Sequence, residues 1–172
     1  MNKQKLASKI WESANKMRSK IEANEYKDYI LGFIFYKYLS DQEERYLLQR
    51  DYRPEDIRDY VNEEDAETVQ MVQDNLGYFI AYKDMFSTWL SMGRDFTVDN
   101  VRTALSSFTR LISPTHKLVF DKIFNTLETG LSKLGENTKS QTKAVRDLLQ
   151  LIKDIPWMGN RIMMCWVLFM NI

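Results

Sequence analysis

Cysteine, histidine, proline and glycine are all scarce in these 172 residues, and each shortage closes off a class of chemistry or fold. The single cysteine, Cys165, permits no internal disulfide and fits a reducing compartment, so the expected address is the cytoplasm. The single histidine, His116, removes zinc sites built from His and Cys and leaves no motif for Cys–His or Ser–His–Asp catalysis. Neither a GxGxxG fingerprint nor a phosphate-cradling P-loop is present. Three prolines and six glycines supply few tight turns, which favours long helices over a many-stranded sandwich. Net charge is missing too, because 24 Lys and Arg balance 24 Asp and Glu. No apolar run reaches the roughly 18–20 residues that cross a bilayer. The start is charged and amphipathic, without the apolar core and small-residue cleavage site of a signal peptide.

What is present reads as one globular, all-α domain, an irregular bundle of about six to eight helices with at most one short extended segment. Leu6, Ile10, Ala14, Met17 and Ile21 recur at helical steps and predict a helix from about Lys3 to Lys20. A second helix is expected from Asn24, whose side chain can cap it. Its segment from Tyr26 to Leu39 is apolar almost all round, which predicts burial between other helices or against a partner. Tyr29, Phe33 and Ile34 read as core, Tyr26, Tyr36 and Tyr38 can turn their hydroxyls outward, and Gly32 suits a close helix–helix approach.

Pro54 begins a short acidic helix, and Gly77 ends another that runs from about Glu64 to Asn75. Tyr78–Ile80 is the one candidate extended stretch. Met85, Phe86, Trp89 and Leu90 form a stripe that stops near Gly93, and Thr97 caps a helix ended by Ser113-Pro114. Leu118–Leu134 is periodic but interrupted at Gly130, and Gly135–Ser140 reads as a polar loop. Ala144, Leu148, Leu149 and Ile152 mark a final helix stopped by Pro156.

The even charge total hides a gradient. Residues 1–20 carry six cations against Glu12, whereas residues 51–77 carry nine acids against Arg53 and Arg58. Such a gradient can steer a nucleic acid to one end, or can simply be two solvated faces of opposite sign. The pairs Glu43-Glu44 and Glu63-Glu64-Asp65 read as solvated faces, and nothing assembles a catalytic, cofactor or metal site. What remains is recognition. The candidate DNA or partner contacts are Lys9, Trp11, Lys16, Arg18, Lys20, Tyr26 and Lys27, since cations meet phosphates and tyrosine suits interfaces.

Residues 157–172, WMGNRIMMCWVLFMNI, do not match the composition that precedes them: they hold four of nine methionines, two of four tryptophans and the lone cysteine. A membrane hairpin is disfavoured by length and by the lack of an amphipathic period. Met and Trp have one codon each, so the tail fixes much of its own DNA. Read one base back, it yields M-D-G-Q-Q-D-Y-D-V-L-G-F-I-Y-E-Y with permissive choices at the free bases. Residues 1–156 are therefore expected to form the domain, and 157–172 an out-of-frame apolar tail.

The stretches Leu6-Ala7-Ser8-Lys9-Ile10-Trp11 and Ala14-Asn15-Lys16-Met17-Arg18 resemble the start of the methyltransferase (modification) subunit of type I restriction–modification systems. The resemblance continues through Glu25–Gly32, Lys37-Tyr38-Leu39-Ser40-Asp41, Gly77–Ile80 and Asp147–Pro156. The family's next segment reads close to D-V-L-G-x-I-Y-E-Y-L, which the shifted frame recovers. The resemblance implies an adenine-N6 DNA methyltransferase whose Rossmann-like domain binds S-adenosylmethionine and acts on a flipped base. Its cofactor loop and Asn-Pro-Pro-Tyr/Phe motif are absent from this chain, which alone is expected to be inactive, with no family catalytic residue to carry over. The helical N-terminal region is implied to contact the specificity subunit or a second modification subunit and to help enclose duplex DNA, without a membrane. The alternative is a stand-alone helical protein that competes for the specificity subunit. Sequencing the coding DNA across codon 156 checks the frame change: the shifted frame should stay open well past Ile172, and a stop within a few codons overturns it.

Overall fold

The computed structural model describes residues 23–155, with side chains left undescribed at 23–27, Val119 and Ile123, and adds Lys5, Ser8 and Glu12 as isolated helical positions. The described residues form seven α-helices and three 3₁₀ turns, with no strand, so the all-α expectation holds. The helices are α1 (Ala23–Gln49), α2 (Pro54–Tyr60), α3 (Ala66–Leu76), α4 (Phe86–Ser91), α5 (Val98–Leu111), α6 (Lys117–Gly130) and α7 (Thr138–Ile152). The 3₁₀ turns are η1 (Tyr82–Asp84), η2 (Gly93–Asp95) and η3 (Leu131–Leu134). The chain divides into two compact units, one of residues 1–38 and 126–172 and the other of residues 39–125. Both α1 and α6 contribute residues to each.

In the first unit the aromatic face of α1 is core. Tyr29, Ile30, Phe33, Ile34 and Tyr36 are at most 3% exposed, and Tyr38 is buried as well. The outward hydroxyls expected of Tyr36 and Tyr38 are therefore not found, because a helix apolar on every side leaves no face for solvent. Gly32 gives the close approach its position predicted: a Cβ there would stand 2.8 Å from Leu127 Cγ and Cδ1. The Tyr29 hydroxyl donates to the Gly130 carbonyl at 2.6 Å, satisfying both groups where α6 gives way to η3. The buried Lys37 donates from Nζ to the Ile155 carbonyl at 2.8 Å, just beyond the end of α7.

Two boundaries differ from the sequence reading. Asn24 already lies inside α1 rather than capping it. The supposed loop Gly135–Ser140 contains the start of α7, where Asn137 accepts from the Ser140 N–H at 2.9 Å and Ser140 returns the bond. That reciprocal arrangement is a capping box built with Ser in place of the usual Glu or Gln.

The second unit shows how few residues set its turns. Asp51 stands in the left-handed region (φ 67), with Asp51 N–H bonded to Leu48 and Tyr52 N–H to Leu47, which closes the C-terminus of α1 in a Schellman motif. Pro54 occupies the first turn of α2, as expected, and Asp56 accepts from the Arg53 N–H at 2.8 Å. Asp65 caps α3 through the Thr68 N–H, and Gly77 (φ 87) ends it. Thr97 begins α5, with Asn100 accepting from its N–H at 2.9 Å. Phe108 meets Phe120 and Phe124 edge-on, with centroids 5.6 and 5.2 Å apart, and Phe86, Trp89 and Phe96 make a second buried aromatic group.

The Gly32 contact gives a direct stability test. Gly32→Ala should cost about 1–3 kcal/mol, as overpacking does, read as a lower urea midpoint at unchanged m-value. In a Leu127→Ala background the same change should cost almost nothing, and equal costs in both backgrounds would mean that the contact does not constrain the helix.

Candidate functional site

The most polar feature of the interior lies on the second half of α1. Tyr36, Leu39, Glu43 and Leu47 follow one another at helical steps, so Glu43 falls on a buried stripe. It is fully buried, contrary to its reading as part of a solvated acidic pair. Its Oε1 accepts from the Ile80 N–H at 2.8 Å, while no group among the described residues partners Oε2. Burial pushes the carboxyl well above the usual carboxylate range. The Ile80 N–H works against that shift and the neighbouring Glu44 adds to it. Glu44 itself meets the Ser87 hydroxyl at the surface.

Two bonds flank this one. The Tyr78 hydroxyl donates to the Leu39 carbonyl at 2.8 Å, and the Phe86 N–H donates to the Ser40 hydroxyl at 2.9 Å. Together they fasten residues 78–86 to one turn of α1. This also explains Tyr78–Ile80, the candidate extended stretch. These residues are neither strand nor helix, and their buried backbone finds a side-chain carboxyl where a neighbouring strand would otherwise be needed.

The outer face of this unit is charged. A groove of about 440 Å³ runs beside Arg50, Asp51, Tyr52, Asp56, Tyr60 and Glu67. A second, of about 360 Å³, is lined among others by Arg58, Glu63, Glu64, Lys83 and Arg110. Several groups lining these grooves already serve the fold. Asp56 and Asp65 accept from backbone N–H groups at helix starts, and Arg110 Nη2 reaches both oxygens of Glu63 at 2.8 and 2.9 Å. That guanidinium holds the Glu63 carboxyl below its ordinary value. Asp84, the residue after Lys83, is 5% exposed. Burial raises its carboxyl from 3.8 to about 6, with Lys83 opposing and Glu63 assisting.

His116 sits in the turn before α6, as expected, exposed and with its ring against Gly77: a Cβ there would come 2.7 Å from Nδ1. No group of three or more His, Cys, Asp and Glu among the described residues could hold a metal ion, and no described helix is long and apolar enough to cross a membrane.

The contacts expected from sequence are not placed by this arrangement. Lys9, Trp11, Lys16, Arg18 and Lys20, and the side chains of Tyr26 and Lys27, lie outside the described residues, as does the tail 157–172. Glu43 is the residue the sequence reading missed. The signal was available in its spacing from Tyr36, Leu39 and Leu47, which outweighs its being one of two adjacent acids.

Asp84 makes the site's pH behaviour measurable. Its folded value is raised, so its contribution to stability is intact below about 4 and is lost as pH rises through about 6. Asp84→Asn should remove a slope worth on the order of 1–3 kcal/mol from unfolding free energies followed between these pH values. Identical slopes for the two proteins would overturn the assignment.

Comparison with known proteins completes the picture. The family model of the HsdM N-terminal domain matches residues 6–152. The chain is 26% identical over 157 residues to the type I restriction enzyme MpnII methylase subunit of Mycoplasma pneumoniae, covering 84% of this chain and 29% of that protein. Its fold is similar to the crystal structure of the type I restriction-modification system methyltransferase subunit from Streptococcus thermophilus. The TM-score is 0.78 at 21% identity, covering 99% of this chain and 38% of that one. The chain therefore spans well under half the length of either protein. With a family match reaching from Leu6 to the end of α7, the chain belongs to the HsdM N-terminal domain family.

Proposed function

We propose that this chain is the helical N-terminal region of a cytoplasmic type I adenine-N6 modification subunit. Its work is to contact the specificity subunit or another modification subunit and to help enclose duplex DNA. The observation that carries the reading is the family match over residues 6–152. The described polar groups support it from the other side: Glu43 in the interior, and Asp56, Asp65 and Asn137 at helix starts, are spent on backbone N–H groups rather than gathered around a reacting centre.

S-adenosylmethionine belongs to the whole enzyme in this reading, and the described residues do not fit it. A cofactor of this kind needs backbone left open by glycine. Gly32 faces Leu127, Gly77 the His116 ring, Gly130 the Tyr29 hydroxyl and Gly135 Ser140. Only Gly93 is open among the described glycines, and it lies in a 3₁₀ turn. No chemical step is therefore assigned to this chain, and its contribution is the placing of partners. The basic segment of residues 1–20 is the natural contributor of phosphate contacts, which position a protein on duplex DNA without reading its sequence.

Three measurements test this. Calorimetry with S-adenosylmethionine should show no binding, and micromolar affinity would refute the reading. Duplex DNA should bind weakly, with affinity falling as salt rises. Replacing Lys16, Arg18 and Lys20 together by alanine should lower both affinity and the salt slope, by roughly one unit of slope per lost phosphate contact. Purified specificity subunit should retain the chain in a pull-down. Displacement by intact modification subunit would support a shared docking face, whereas no retention would remove the partner role.

A further inference from the structure

We propose that Glu43 keeps its proton in the folded protein and works as a latch, holding the irregular 78–81 stretch to α1 only while that proton is in place. The geometry leaves little room for the charged form. The side chain is wholly buried, one oxygen has a single N–H donor, and the other meets no polar group among the described residues. No cation among the described residues pairs with it. An isolated charge in such a place is costly enough that the group neutralises instead. Of the ionisable groups around it, Glu44 on its own helix is the one described residue whose charge acts on it, and that charge favours the proton. The stretch from Gly77 to Phe86 brings Tyr78, Tyr82, Lys83 and Asp84, and α4 brings no ionisable side chain.

What the latch holds is also particular. Tyr78, Phe79, Ile80 and Ala81 are all at most 3% exposed, yet they belong to no helix or strand. Besides the Ile80 bond, the Tyr78 hydroxyl on Leu39, the Tyr82 N–H on the Val61 carbonyl and the Phe86 N–H on Ser40 keep this segment in place. A segment tied by a few separate bonds can open without unravelling a helix. Loss of the proton leaves an anion inside, and parting the latch is the shortest route by which water reaches it.

Residue-resolved amide hydrogen exchange on the full chain, corrected for base catalysis, tests this. The carboxyl carbon shift of Glu43 in the wild-type protein locates its titration. As pH rises from the ordinary carboxylate range towards that point, protection of the Ile80 amide should fall by up to about tenfold per pH unit, as one linked proton requires, and then level off. The Val101 and Leu105 amides in α5, exchanging only through a larger opening, should stay more protected than Ile80 throughout. Glu43→Gln, isosteric and never ionised, should leave the Ile80 protection flat above about pH 6, where Asp84 has already lost its proton. The proposal is overturned if, above about pH 6, Glu43→Gln loses protection as the wild type does, or if Ile80 is as well protected as Val101 and Leu105. It is equally overturned if the wild-type carbon shift reports a carboxylate at about pH 7, a reading that stands even should the variant fail to fold.

Discussion

A helix that is apolar on every side has to be wrapped by the rest of its protein, and from Tyr29 to Ser40 the first long helix has no residue that reaches solvent. That requirement explains the composition of what surrounds it. Leu127 comes close enough to use the missing Cβ of Gly32, and the Tyr29 hydroxyl and Lys37 amine, carried inside by their apolar stems, each find a backbone carbonyl. The few polar groups drawn into the interior thus become fastenings, because a buried donor without a partner costs more than the bond it makes is worth.

Further along the same helix the rule takes a second form. Glu43 and the Leu39 carbonyl face a stretch of chain with no regular structure of its own, and Ser40 holds the first residue of α4 just beyond it. An irregular segment can be buried only if its N–H and C=O groups are answered individually. Here one turn of α1 supplies the answers that a neighbouring strand would supply in a sheet. The charged grooves outside have a different character. Their ion pairs lie in water and are weak, and two of their carboxylates, Asp56 and Asp65, close helix starts.

The sequence disclosed those features that depend on one residue and its immediate neighbours. Pro54 opening α2, Gly77 closing α3 and Thr97 before α5 all act through local backbone geometry, and each stands where its residue type indicates. The helical content followed from periodicity, and the family from the run around Glu25–Gly32 and Lys37–Asp41. What stayed hidden depends on tertiary context. Glu43 shares its type and neighbour with solvated acids, and only its register with Tyr36, Leu39 and Leu47 sets it apart. Tyr36 and Tyr38 are amphipathic enough to serve at a surface, and it is the closeness of packing that turns them inward. Asn137 followed by Ser140 makes an unusual capping box, so the polar run from Gly135 concealed the start of a helix.

The pairing of Gly32 with Leu127 and that of Gly77 with His116 look alike, since in each a side chain occupies the place of a missing Cβ. Their histories should nevertheless diverge. Position 32 has ordinary helical backbone, so a lineage that enlarges it can stay folded by shrinking position 127, and the two should drift as a pair. Position 77 is bound by its left-handed φ as well as by the imidazole, and no change at position 116 relieves the first of these. By this physics the first glycine is negotiable and the second is not.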